Sequence, residues 1–214
     1  MPLISPDLTE LTTSSQATRL YNMIDFITGR GIASFYGADF EDATKLLTTM
    51  TFYAHKGYTT NGLNAASDIS LDLTLSVNPM DVDGDVIITI PLLGYNGTGG
   101  TTTVGSSVTA TLYHVDTAAT ATSLGVVSVS TSTPSIANNT AETAFFTGKV
   151  NVSKVFGQGE KLRLRVQTGA PGSGKQIYIG HDPANRDIII NTAWASSNWV
   201  SSQLKVLVPV RTNL

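Results

Sequence analysis

From about residue 61 to the C-terminus, apolar and polar positions follow a period of two. In SDISLDLTLSV, Ile69, Leu71, Leu73, Leu75 and Val77 alternate with Ser70, Asp72, Thr74 and Ser76. Such alternation predicts a strand with one buried and one wetted face. KLRLRVQT repeats it with Leu162, Leu164 and Val166 against Lys161, Arg163, Arg165 and Gln167, and QLKVLVPV with Leu204, Val206, Val208 and Val210. VIITIPLLG reads as a more fully buried strand ending near Pro91, preceded by a turn at DVDGD. SVTATLYHV, SLGVVSVS, FFTGKVNVS, QIYIG and DIII complete about nine strands. The Gly/Thr-rich stretch 94–107 reads as a long exposed loop.

The first sixty residues differ. Leu20, Met23, Ile24 and Ile27 fall at i, i+3, i+4 and i+7, the stripe of a short helix. Leu20, Ile24 and Phe26 also share one parity, so a strand is the alternative reading. IASFYG and LLTTMTFYA read as strands on either side of the acidic break ADFED. Residues 1–15 hold two prolines and scattered Leu and Ile without a period, which describes an arm. The division expected is 1–60 for the arm and a short helix or strand segment, and 61–214 for a β-domain. Strands with no helices between them predict an all-β fold, an antiparallel β-sandwich. An eight-strand jelly roll is the leading candidate.

Composition adds a surface without charge. The 214 residues carry 13 Lys+Arg and 16 Asp+Glu, a net charge of −3, and only 14% are charged. Ser and Thr make up roughly 23%. Thr suits a pleated half-buried surface, and an uncharged polar face is less costly to bury against a neighbour than one of Lys and Glu. No basic excess marks a nucleic-acid binder, and no apolar run approaches the ~20 residues that span a bilayer. The opening MPLISPDLTE has neither a basic nor an apolar leader region, so no signal peptide is expected. With no cysteine, disulfides, thiolate metal sites and thiol nucleophiles are excluded.

Candidate chemistry is sparse. GAPGSGK at 169–175 has the glycine and lysine spacing of a phosphate-binding loop. Gln176 stands where a magnesium-ligating hydroxyl belongs, and QIYIG after it reads as a strand rather than a dipole-bearing helix. A Gly/Pro/Ser hairpin loop between KLRLRVQT and QIYIG explains the string. Asp81, Asp83 and Asp85 imitate the first ligands of a calcium loop, but Val86 and Leu92 occupy its glycine and glutamate positions. His55, His114 and His181 lie outside ligand spacing of one another. Three Asn-X-Ser/Thr sequons, at Asn96, Asn138 and Asn151, follow from a Thr-rich composition. Neither a metal nor a cofactor is expected. Trp194 and Trp199, in a polar stretch, either plug the end of the sandwich or serve as ligand or interface anchors.

TGRGIASFYGA, TFYAHKGYTTNG and the ending GHDPANRDIII with QLKVLVPV resemble segments of structural proteins of tailed-bacteriophage particles. The resemblance implies a virion subunit of jelly-roll or related type, attached to a capsid or neck. The expectation is then a non-enzymatic, capsid-associated decoration or cement protein, located in the virion and homo-oligomeric. Its partners are other virion proteins and copies of itself, with no nucleic acid and no membrane. Leu3, Ile4, Leu8 and Leu11 of the arm are the expected subunit contacts. The alternative is a carbohydrate- or receptor-binding module of a phage tail or neck or of a cell surface, using Trp194, Trp199 and the loops at 94–107 and 169–175.

Overall fold

The computed structural model describes residues 19–20, 30–39, 45–51, 59–63, 68–75, 79–185 and 202–211. Among them the secondary structure is all β. The strands are β1 (Arg19–Leu20), β2 (Arg30–Asp39), β3 (Lys45–Thr48), β4 (Thr59–Leu63), β5 (Asp68–Thr74) and β6 (Met80–Asn96). They continue as β7 (Gly105–Val115), β8 (Ala121–Ser132), β9 (Thr140–Phe156), β10 (Lys161–Thr168), β11 (Lys175–Gly180) and β12 (Lys205–Arg211).

All twelve join one hydrogen-bonded sheet. One run is β2-β12-β6, with β9 on the far side of β6; the other is β5-β10-β7-β8. β3 links the runs, antiparallel to β2 and parallel to β5 at Leu46↔Asp72, which makes the sheet mixed rather than wholly antiparallel. β11 takes over from β12 along the second half of β6, and β4 lies outside β11.

The alternation in the sequence dictates how this sheet curls. Phe35, Val82, Ile88, Val206 and Val208 from the first run share one buried cluster with Leu71, Val108, Leu112 and Leu164 from the second. Both runs therefore turn their apolar faces to the same core, each fully buried aliphatic side chain contributing about 1.5–3 kcal/mol. At one end β8 and β9 come together without pairing. A Cβ on Gly125 would lie 2.3 Å from Val150 Cγ1, and one on Gly148 would lie 2.6 Å from Val127 Cγ1. Each strand's valine thus fills the space left by the other strand's glycine.

Several expectations are corrected. DVDGD is not a turn: it lies inside the 17-residue β6. The pairing of β6 with β12 shifts register between Leu207 and Val210. Gly84 there has φ of 135°, which favours glycine. Pro209 packs 3.2 Å from where its Cβ would be, and a proline inside a central strand is expected at such a bulge. Pro91 does not end β6, because it falls between Thr89, paired with β12, and Leu92, paired with β11. The predicted loop 94–107 shrinks to 97–104, since β6 reaches Asn96 and β7 starts at Gly105. Stretch 169–174 is not a hairpin: β10 and β11 pair with different strands, so it is a crossing connection. Leu20 lies in β1 beside Ile32, whereas Met23, Ile24 and Ile27 of the predicted helix lie outside the described residues, as does DIII.

Candidate functional site

Among the described residues, a concentration of charged side chains lies on the outward face of β5, β10 and β7. Register places Arg163 between Asp72 and Tyr113, and Arg165 between Ser70 and Thr111. Arg163 grips Asp72 with two hydrogen bonds, Nη2 to Oδ2 at 2.8 Å and Nε to Oδ1, while Lys161 stands 3.5 Å from the same carboxylate. Arg165 reaches diagonally to Asp68, with Nε 3.0 Å from Oδ1, and Gln167 Nε2 donates to Asp68 Oδ2 at 3.2 Å. Asp68, Ser70, Tyr113, Ala121, Arg163 and Arg165 line an open concavity of about 580 Å³.

Electrostatics there are set by the pairs. The Arg165 hydrogen bond holds the Asp68 carboxyl below its usual range against a smaller opposing effect of burial. For Asp72 burial is the largest influence and pushes upward, but the hydrogen bond and charge of Arg163, with Lys161, outweigh it and leave the group lowered. Both guanidiniums are raised by the same contacts. With Arg165 paired to Asp68, and Arg163 and Lys161 sharing Asp72, the face offers an ordered array of donors and acceptors beside a phenol ring. Such an array can hydrogen-bond a polar ligand.

A second concentration lies where β6, β7, β10 and β11 end. The buried Asn96 amide donates to Gly100 O at 2.9 Å and Ile136 O at 3.1 Å, and its Oδ1 accepts from Thr98 N and Oγ1. Gly97 N donates to Gly174 O at 2.8 Å, and Lys175 Nζ donates to Thr102 Oγ1 and Thr103 O. Asn139 Oδ1 accepts from the Tyr95 hydroxyl. The stretches named from sequence as loops of a recognition module, 94–107 and 169–175, therefore meet, through the loops 97–104 and 169–174. The Asn96 sequon is consumed internally.

The motifs resolve as structural. Lys175 is engaged by the neighbouring loop and opens a strand, so the phosphate-loop spacing has no helix behind it. Asp81, Asp83 and Asp85 project outward from one strand, where Asp83 pairs with Arg211 and Asp85 with Lys149 and Asn151. Among the described residues no cluster of three metal-ligating side chains exists. His114 lies 2.9 Å from Glu160 Oε2 and edge-on to Phe156. His181 and Asp182 are buried next to Ser202, but Asp182 ties a local turn, accepting from Ala184 N, and its own N–H donates to Ser202 O. Leu3, Ile4, Leu8, Leu11, Trp194, Trp199 and His55 lie outside the described residues. The Asp–Arg face was not singled out from sequence. Its signal was Asp68 and Asp72 on one strand and Arg163 and Arg165 on another, all of wet parity.

No protein-family model matches the chain, and no curated protein matches it in sequence. Solved structures do. A CocE/NonD family hydrolase from Staphylococcus aureus is similar at TM-score 0.53 and 8% identity, over 86% of this chain and 37% of that one. The VP2 subviral particle of infectious bursal disease virus matches at TM-score 0.33 and 10% identity, over 99% of this chain and 42% of that one. A carbohydrate-binding module of the β-sandwich superfamily matches at 0.28 and 12%, over 79% and 62%. The chain spans little more than a third of the hydrolase's length. That likeness shows the fold alone, and the two looser ones carry no argument.

Proposed function

We propose that the chain is a non-enzymatic structural subunit of a virus particle, of the capsid-associated decoration or cement kind in a tailed phage. The observation that carries the reading is strand order. The runs β2-β12-β6-β9 and β5-β10-β7-β8 fit the two layers of an eight-strand, double-Greek-key jelly roll, an architecture used by viral capsid and lectin domains. The tailed-phage resemblance of the sequence and the sparse charge support it further. In this reading Leu3, Ile4, Leu8 and Leu11 lie against neighbouring subunits, each contributing about 1.5–3 kcal/mol if fully buried. That is enough for a few to offset the ordering of a short arm. Partners are other virion proteins and further copies, and no cofactor is required. Deleting residues 1–15 tests it: the truncated chain should unfold like the full one yet fail to join particles. Incorporation at the full level would overturn the arm's role.

A second reading is a carbohydrate- or receptor-binding module. The concavity around Tyr113, with Asp68, Ser70, Arg163 and Arg165, favours it, as do the joined loops and the Trp194 and Trp199 pair. A glycan array separates the two, since a cement protein binds no sugar and a module loses its sugar on Tyr113→Ala or Trp199→Ala.

A further inference from the structure

Among the described residues, β9 is paired along one edge. Its described pairings all run to β6, from Met80↔Phe156 to Asn96↔Thr140, without a register shift. No described strand pairs with its second edge. Among the described residues that edge is unpaired over 17 residues and holds no proline, and such an edge is a template for another strand.

The side chains select which strand. Phe145 and Val155 are 51% and 61% exposed, share the outward parity of β9, and stand five residues to either side of Val150. We propose that β9 pairs antiparallel with β9 of a second copy, about a two-fold axis at Val150. An interface of this type uses the same patch on both copies. Each Phe145 then lies opposite Val155 of the partner subunit, an aromatic and β-branched pair of the kind that stabilises neighbouring strands. Thr147 lies opposite Ser153 of the partner subunit, and Lys149 opposite Asn151 of the partner subunit, so no like charges meet.

The neighbouring registers do worse. An axis at residue 149 sets Lys149 against itself, an axis at 148 sets Phe145 against asparagine, and an axis at 151 carries Phe145 past the end of the strand. A shift of one residue in the pairing sends Phe145 and Val155 to opposite faces.

The end of the core points the same way. Val129 on β8 pairs with the buried Val108 and has inward parity, yet it is 44% exposed. Beyond the Val127–Gly148 contact, then, Val129 is left partly uncovered on the side of β9. A copy joined along β9 lies next to that uncovered valine. This pairing requires neither the N-terminal arm nor a particle, so it stands or falls apart from the function proposed above.

The chain has no cysteine, so introduced thiols report alone. Full-length Phe145→Cys and Val155→Cys variants are oxidised separately and as an equal mixture. Directly opposed residues of an antiparallel pair have Cα atoms ~4.5–5.5 Å apart, within disulfide reach. In the proposed dimer each cysteine is ~34 Å from its own twin, ten residues along the strand. A covalent dimer in the mixture and in neither single variant is the expected result. No cross-link in the mixture, or equal cross-linking of a single variant, overturns the register. Light scattering supplies the second arm. The full chain and the chain lacking residues 1–15 should both have the mass of two chains at tens of micromolar. Phe145→Lys should weaken association on the order of tenfold or more with an unchanged far-UV circular dichroism spectrum. A monomeric full chain, or a dimer indifferent to Phe145→Lys, overturns the interface.

Discussion

The two runs of the sheet share one core but present opposite chemistry to solvent. Outward from β5, β10 and β7, Asp68, Asp72, Lys161, Arg163 and Arg165 cover the backbone with cross-strand ion pairs. Outward from β2, β12 and β6, the register sets Ile32 beside Pro209 and Leu207 beside Ile87, with Ile32 and Ile87 exposed. Charge on that run is sparser, with Lys205 and the Arg211–Asp83 and Lys149–Asp85 pairs. A face of paired charges resists burial, because both ions lose water together. A face of Ile, Leu, Pro and Thr loses little on contact and gains from it. The same parity rule built both faces, and only the outward residue types separate a surface suited to solvent or polar ligands from one suited to a neighbour.

The largest expected effects come from where the faces do not differ. Ile88→Ala under the apolar face and Leu164→Ala under the charged one both remove fully buried side chains. Each should lower stability by about 2–5 kcal/mol in urea denaturation, in a single transition common to fluorescence and circular dichroism. Two separate transitions would break the comparison by showing that the runs fold independently. Next comes the contact that closes the sheet's end: Gly148→Val places a side chain where Val127 already sits and should cost about 1–3 kcal/mol. Gly99→Val, whose Cβ would meet nothing within 4 Å, controls for glycine replacement in open space, although its positive φ adds local strain.

Smaller effects separate the faces themselves. Arg163→Ala strips a partly buried carboxylate of its partner and should cost about 1 kcal/mol after allowance for solvent screening. Its pH dependence has a definite sign. The Asp72 carboxyl is lowered in the folded chain from 3.8, so the pairing stabilises fully above that value and is lost as pH falls through the lower folded value. Thermal melts of wild type and Arg163→Ala should therefore differ at pH 6 and converge as pH drops well below 3.8. A gap that widens on acidification would contradict the pairing. Smallest of all, Ile87→Thr on the apolar face should stay within about 0.5 kcal/mol of wild type. A loss above about 2 kcal/mol would mean that Ile87 is already covered in solution.

Local alternation determined a good deal by itself. Which residues of β5, β10 and β12 face the core was legible from the sequence, because side chains on a strand change face at every residue. That a strand rather than a helix follows Lys175 was equally legible, since QIYIG carries a strand's residues. Strand ends were less so. DVDGD and Pro91 carry turn residues, but β6 runs through both because a bulge against β12 accommodates Gly84 and a change of neighbour accommodates Pro91.

Only the tertiary structure decided what meets across strands. Arg163 finds Asp72 across 91 residues of sequence, the loops at 97–104 and 169–174 meet through Gly97 and Gly174, and β9 is left with a bare edge. Pairing partners, register and free edges follow from long-range chain closure and shared burial. A period of two fixes which face a side chain takes and says nothing of which strand lies beside it.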